Sequence, residues 1–323
     1  MRVAVASRSF SRHPVLRAEL IARFPGATFN DAGASLSGEA LVAFLRGHER
    51  AILALERIDD AMLAALPELR VVSKYGVGLD MIDLAAMERR GIALGWTAGV
   101  NRRSVAELAL SMMIILLHRV SEAVAIVRDG RWQQIAGRQL TGRTVGIIGC
   151  GHVGQDLTRL LAPFGCRVLA FDAVNYDSFY RAHGVQAAAL DHLLAASDVV
   201  TLHLPLDDST RGFLSADRLR AMRPGAILIN TARGGLVDEA AVIARLDSGD
   251  LAGAGFDVLD AEPPGDCALL SHPKVLVTPH IGGSTEEAVL AMGRAAIRGL
   301  DEFDRPSAVL AAASPAAPGV PAW

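Results

Sequence analysis

The chain has 323 residues, of which 51 % are hydrophobic and 21 % charged, and its formal net charge is -3. That length suits two domains, each able to bury a core, and the charge balance offers no basic surface for nucleic acid or acidic lipid. The three cysteines, Cys150, Cys166 and Cys267, are odd in number and lack CxxC spacing. They point to a reducing compartment and to no zinc or other metal site.

The N-terminal "MRVAVASRSF" lacks the apolar core of a signal peptide. Strands are expected at 2–6, 50–55 and 70–76, with helical stretches at 38–47 and 59–67 between them. Such alternation argues for a parallel sheet covered on both faces. A long helix is expected over 101–120, where Ser104 and Glu107 have the spacing of a capping box and place its start near Ser104. Within it, Leu108–Leu117 is the longest apolar run. It is far short of the roughly 20 residues of a membrane span and reads as a buried or subunit-interface helix. A soluble cytoplasmic protein is expected.

The alternation restarts after residue 140. Strands are expected at 144–149, 167–172, 198–205, 225–232 and 252–258, with a helix at 152–165. The apolar "VLV" of 275–277 runs into "TPHIGGST", and a helix follows over 284–303. If that helix packs on the first unit, the first domain is discontinuous and two chain crossings form a hinge. The Ala/Pro-rich, uncharged tail from Pro306 is expected to be a poorly ordered end.

The chemistry-bearing residues lie at the strand ends. "GCGHVG" places Gly149, Gly151 and Gly154 between a strand and a helix. There the first glycine turns the chain, the second admits a pyrophosphate, and the third lets helix and strand pack closely. The phosphates would sit near the amides of His152 and Val153 at the helix start. Asp172 ends the next strand, where an acid binds ribose hydroxyls and its charge disfavours a 2′-phosphate, so NAD is the expected cofactor. The bland alternative is a structural glycine turn and a solvent-facing aspartate.

Arg233, Glu262 and His280 each follow a strand of the second unit. Ligands of open parallel sheets bind beyond the strands' carboxyl ends, so the three can converge over a nicotinamide. Reducing a carbonyl needs a hydride and a proton, and histidine is the natural proton donor near neutral pH. A neighbouring carboxylate favours imidazolium and orients it, and arginine forks onto a substrate carboxylate. Structural alternatives remain for each: Arg233 paired with Asp238, Glu262 as a turn residue before Pro263, and His280 as a strand-end residue.

Together, "GCGHVG", Asp172, "INTARGGLVDE", "FDVLDAEPP" and "VTPHIGGST" resemble the D-isomer-specific 2-hydroxyacid dehydrogenases. That family includes phosphoglycerate, glyoxylate/hydroxypyruvate and D-lactate dehydrogenases. The likeness extends through "SKYGVGLDMIDL" and "NRRSVAELAL" and covers about residues 50 to 303. It implies two doubly wound α/β domains, Rossmann-like and flavodoxin-like, with an active-site cleft between them. The substrate-binding domain would comprise 1–98 plus 285–323, and the NAD-binding domain 99–284.

The resemblance further implies Arg233 on the substrate carboxylate and keto oxygen, with His280 as acid/base tuned by Glu262. The amides of Val77 and Gly78 would hold the substrate carboxylate. Asp257 would bind the nicotinamide carboxamide, Thr231 and Ala232 would line its ring, and His203 and Pro205 would run along the adenosine. Gly282 and Gly283 belong to the same cofactor-facing set. A homodimer acting on a small 2-keto or 2-hydroxy acid is implied, with no nucleic acid or membrane partner.

Two departures stand out. "GWTAGVN", with Trp96 and Thr97, replaces the family's proline-containing loop, and the sequence ends soon after the last helix, so neither an appended regulatory domain nor an allosteric serine response is expected. Formate dehydrogenases of this fold carry Gln in place of Glu262. Lys74, Arg102 and Arg103 would serve a phosphite- or phosphonate-type substrate, although a solvated role suits them better. A nucleotide-sensing corepressor or scaffold on the same fold is the reading from another class.

Overall fold

The computed structural model describes residues 1–313 and divides into two compact units. Unit one comprises Met1–Asn101 with the described chain from Ser284, and unit two comprises Arg102–Gly283.

Unit one contains β1 (Val3–Val5), α1 (Arg8–Arg12), α2 (Pro14–Arg23), β2 (Thr28–Phe29), α3 (Gly38–Leu45), β3 (Arg50–Leu53), α4 (Asp60–Ala64), β4 (Val71–Lys74), α5 (Leu84–Arg90) and β5 (Ala93–Gly95). All strand pairs are parallel, in the order β2-β1-β3-β4-β5. This is the flavodoxin-like winding, reversing between β1 and β3. The strand period of two splits the core: Val3 and Val5 of β1 face one apolar cluster and Ala4 the other.

Unit two begins with α6 (Arg102–Leu117) and α7 (Val120–Arg128). Then come β6 (Thr144–Ile148), α8 (His152–Leu161), β7 (Arg167–Phe171), α9 (Asp177–His183), β8 (Gln186–Ala187), α10 (Leu190–Ala196) and β9 (Val199–Leu202). The rest are α11 (Ala216–Arg220), β10 (Ala226–Asn230), α12 (Glu239–Asp247), β11 (Leu251–Phe256), α13 (Ala268–Ser271) and β12 (Val275–Val277). The parallel order is β12-β11-β10-β9-β6-β7-β8, a Rossmann winding whose direction reverses between β6 and β9. Ile227 and Ile229 face one core and Leu228 the other. The sheet is therefore buried on both faces, which is why its strands read as continuous apolar runs.

The chain returns to unit one through α14 (Glu286–Arg298) and α15 (Pro306–Ala313). Thr285 caps α14 by accepting from the Ala288 amide, and Glu286 and Glu287 fill its first turn. Its buried face packs on α2 and β4, where Ser73 donates to the Ala296 carbonyl at 2.7 Å.

Two expectations are corrected. α6 starts at Arg102, and Ser104 lies inside it, buried, with its hydroxyl donating to the Gly282 carbonyl at 2.5 Å. The hydroxyl serves another segment of unit two rather than the helix end, so the capping-box spacing misleads. The tail from Pro306 is not disordered over its first eight residues: α15 packs against α5 and β5, and the Ser307 amide donates to Glu88. Proline at a first helical position followed by alanines favours this helix, which the Ala/Pro composition conceals. Residues from 314 lie outside the described residues.

α6 buries seven of its 16 residues, whereas α7 buries none. No single described helix is long and apolar enough to cross a membrane.

Candidate functional site

The carboxyl ends of unit two's strands carry the polar groups. After β6, Gly149 adopts φ +93°, and a Cβ there would lie 2.8 Å from the His203 backbone. Only glycine fits this turn. A Cβ on Gly154 would lie 2.5 Å from the Gly149 carbonyl oxygen, so the third glycine permits the close packing of α8 on the loop. Gly151 differs: among the described residues a Cβ there meets only the Tyr176 hydroxyl, at 3.9 Å. It N-caps α8 with no side-chain cap, so no capping side chain accepts from the first amides of the helix, those of His152 and Val153 among them. Burial, then the Arg102 charge, pushes His152 below its ordinary pKa.

Asp172 follows β7. Its carboxylate accepts from the Cys150 amide at 2.5 Å and the Val174 amide at 2.8 Å. The glycine loop itself therefore orients the acid. Burial raises the Asp172 pKa, opposed by these backbone donors.

At the ends of neighbouring β9 and β10, two buried polar atoms lack a partner among the described residues: His203 Nδ1 and Thr231 Oγ1. The other His203 nitrogen lies 3.1 Å from the Thr201 hydroxyl, and burial pushes the His203 pKa down to about 3, so the ring is neutral. Buried polar atoms are nearly always satisfied, and two orphans side by side at the strand ends mark a place shaped for a polar ligand. With the uncapped helix start and the oriented Asp172, they fit a dinucleotide. Pro205 is exposed just beyond His203.

Asn230 folds the loop after β10 by accepting from the Ala232 amide and donating to the Arg233 carbonyl. The Arg233 guanidinium donates to the Ala232 carbonyl at 2.7 Å. The Gly235 amide donates to Asp260, which ties this loop to the one carrying Glu262. Glu262 accepts from the Leu259 amide at 3.1 Å through one oxygen, and its other oxygen lies 2.7 Å from His280 Nδ1. Two residues 18 apart in sequence are thus brought into contact at the sheet's edge.

His280 sits at φ +55°, a left-handed conformation uncommon for a residue other than glycine. Asp257 holds it there. The Asp257 carbonyl accepts from the His280 amide, while its carboxylate accepts from the Thr278 hydroxyl at 2.6 Å, the Ile281 amide at 2.8 Å and the Gly282 amide at 2.7 Å. The side chain assigned by resemblance to the nicotinamide carboxamide is therefore first the clamp of the histidine loop. Gly282 lies beside it, in a position where a Cβ would come 2.9 Å from the Asp257 carboxylate.

Asp238 caps α12, accepting from the Ala241 amide. Arg103 pairs with the buried Asp156 of α8 at 2.9 Å, and Lys74 donates to the Ala54 carbonyl within unit one. These bonds favour the structural reading of Arg103 and Lys74. Val77 and Gly78 follow β4 in unit one, where the Val77 carbonyl accepts from the Trp96 indole at 2.9 Å. Sequence reasoning missed Asn230 and Thr278. The signal for Asn230 was present, since asparagine directly after an apolar strand is a turn-former.

A family model described as "D-isomer specific 2-hydroxyacid dehydrogenase, NAD binding domain" matches residues 110–282. The cofactor of this domain is NAD. The chain is 36 % identical over 257 residues to D-3-phosphoglycerate dehydrogenase of Sus scrofa, which covers 79 % of this chain and 48 % of that protein. It thus spans about half the length of those curated relatives. Hydroxypyruvate reductase of Thermotoga maritima is 36 % identical, over 73 % of this chain and 78 % of that one. A crystal structure of a glyoxylate reductase from Paecilomyes thermophila superimposes with a TM-score of 0.83 at 26 % identity, covering 92 % of this chain and 93 % of that one.

Proposed function

The chain belongs to the D-isomer specific 2-hydroxyacid dehydrogenases, a family of NAD-dependent oxidoreductases, and we propose that it interconverts a small 2-keto acid and its 2-hydroxy acid. The observation that carries this reading is the 2.7 Å contact of His280 with Glu262 on a clamped loop, at the strand ends that also carry the nucleotide features. NAD, when bound, supplies or accepts the hydride. His280 supplies or accepts the proton. Because Nδ1 faces Glu262, Nε2 is the nitrogen left for the substrate oxygen. Arg233 binds the substrate carboxylate and polarises the keto group.

The reading is tested by a panel of 2-keto acids, including glyoxylate, pyruvate, hydroxypyruvate and its 3-phosphate, with NADH consumption followed optically. Turnover of at least one is expected. A protein that binds NADH and reduces none of them would instead be a nucleotide sensor. A homodimer is part of the same reading, supported by the exposed Val120, Val124 and Val127 of α7 and by Trp132, which is 92 % exposed. A solution mass of one chain would count against it.

A further inference from the structure

Among the described residues, the Tyr176 hydroxyl is the one neighbour within 4 Å that a Cβ on Gly151 would meet, at 3.9 Å. It overhangs the one glycine of the loop whose side is otherwise open. Tyr176 stands just before α9, on the loop that leaves Asp172, and is half-buried. Its ring rests edge-on against Tyr180, with centroids 6.3 Å apart, which fixes the direction of the phenol. Its hydroxyl has no hydrogen-bond partner among the described residues. Burial, then the charges of Asp172 and Cys150, pushes the Tyr176 pKa up to about 12, so the group stays a neutral donor at physiological pH.

We propose that Tyr176 binds the cofactor, its hydroxyl donating to the adenosine-side phosphate of NAD seated over Gly151. This rests on the assignment of the glycine loop to NAD. The chemistry divides cleanly. Asp172 is an acceptor and suits ribose hydroxyls, whereas a phosphate oxygen needs donors. The amides of His152 and Val153 supply donors from the helix side, and Tyr176 supplies one from the opposite wall. Among the described residues the phenol makes no hydrogen bond to Asp172, whose oxygens accept from the Cys150 and Val174 amides.

The test is Tyr176→Phe, which keeps the ring on Tyr180 and removes only the hydroxyl. NADH binding is read by fluorescence titration, and ADP-ribose, AMP and adenosine are read by displacement. NADH, ADP-ribose and AMP are each expected to bind about ten-fold more weakly, the size of one hydrogen bond to a charged acceptor, while adenosine is unaffected. In turnover, KM for NADH rises about ten-fold and kcat stays within about two-fold. Unchanged NADH affinity overturns the proposal. An equal loss for adenosine and AMP also overturns it, since the hydroxyl would then contact the ribose or base. Wild-type protein that fails to bind NADH sinks the nucleotide assignment as well. Normal wild-type binding with an unaffected variant sinks the tyrosine alone.

Discussion

In unit one, the polar side chains near the strand ends are tied into the fold. Asn30, after β2, donates to the carbonyls of Ala6 and Ala34 and accepts from the Ala34 amide. Ser73 of β4 donates to Ala296. Among the described residues, no buried side-chain polar atom of unit one lacks a partner. Unit two winds its parallel sheet by the same rule, yet at its strand ends His203 Nδ1 and Thr231 Oγ1 go unsatisfied and His280 is held at positive φ. Unsatisfied atoms and strained residues cost stability, and a fold retains them where they meet a ligand or a reaction. The contrast distinguishes groups that build the sheet from groups that wait at its end.

The largest expected break of this contrast is at His280. If the histidine serves chemistry rather than the fold, His280→Ala loses roughly 10²–10⁴-fold in kcat with NADH affinity retained. His280→Gly should lose as much activity while melting close to wild type. Glycine relieves the positive φ, which costs about 1 kcal/mol or more, and this offsets glycine's greater unfolded-state freedom. Steady-state rates and thermal melts on both variants check this. Near-wild-type turnover with a large drop in melting temperature would make His280 a structural residue.

Much of this arrangement was legible beforehand, for a physical reason. A sheet buried on both faces writes its inner strands as apolar runs, so β6, β7 and β10 stand out in "TVGII", "RVLAF" and "AILIN", and the half-buried edge strand β12 is still apolar enough to be read in "VLV". Gly149 and Gly154 stand out because their backbone surroundings exclude other residues, whereas Gly151 has room for a Cβ and is legible only through its spacing to the other two. β2 and β8 were not visible, since two residues at a sheet edge carry no pattern. β5, three residues long, was missed as well. The clamp of Asp257 on the histidine loop was not legible either. It depends on backbone amides of Ile281 and Gly282, which carry no side-chain signature, and on the φ of His280, which no composition encodes. Ser104 shows the converse error, a correct local motif overridden by a bond to a distant carbonyl.

A smaller effect concerns pH. Burial holds the His203 pKa at about 3, below the ordinary histidine value of about 6.5 that it regains on unfolding. Between these values the unfolded chain binds more protons than the folded one, so stability falls as pH falls. From pH 7 to pH 5 this amounts to at most about 2 kcal/mol for one such group. His203→Asn should flatten the dependence of melting temperature on pH in that window, measured without cofactor. An identical slope in wild type and variant would show that His203 is protonated in the fold.

The smallest effect separates the two units most sharply, because it compares one chemical group in both. Ser73 and Thr231 each carry a buried hydroxyl, one satisfied and one not. Ser73→Ala removes a made hydrogen bond and leaves the Ala296 carbonyl short of a donor, which should cost about 1 kcal/mol or somewhat more. Thr231→Val keeps the shape and deletes a hydroxyl that has no partner without cofactor. Exchanging an unsatisfied buried polar group for an apolar isostere is neutral or stabilising, here by up to about 1 kcal/mol. The same change should weaken NADH binding several-fold, since the hydroxyl's partner comes with the ligand. Denaturant melts without NADH, beside NADH titrations of each variant, decide the matter. If Thr231→Val destabilises the protein as Ser73→Ala does and leaves NADH affinity intact, the hydroxyl at the end of β10 belongs to the fold, and the contrast between the units fails at that residue.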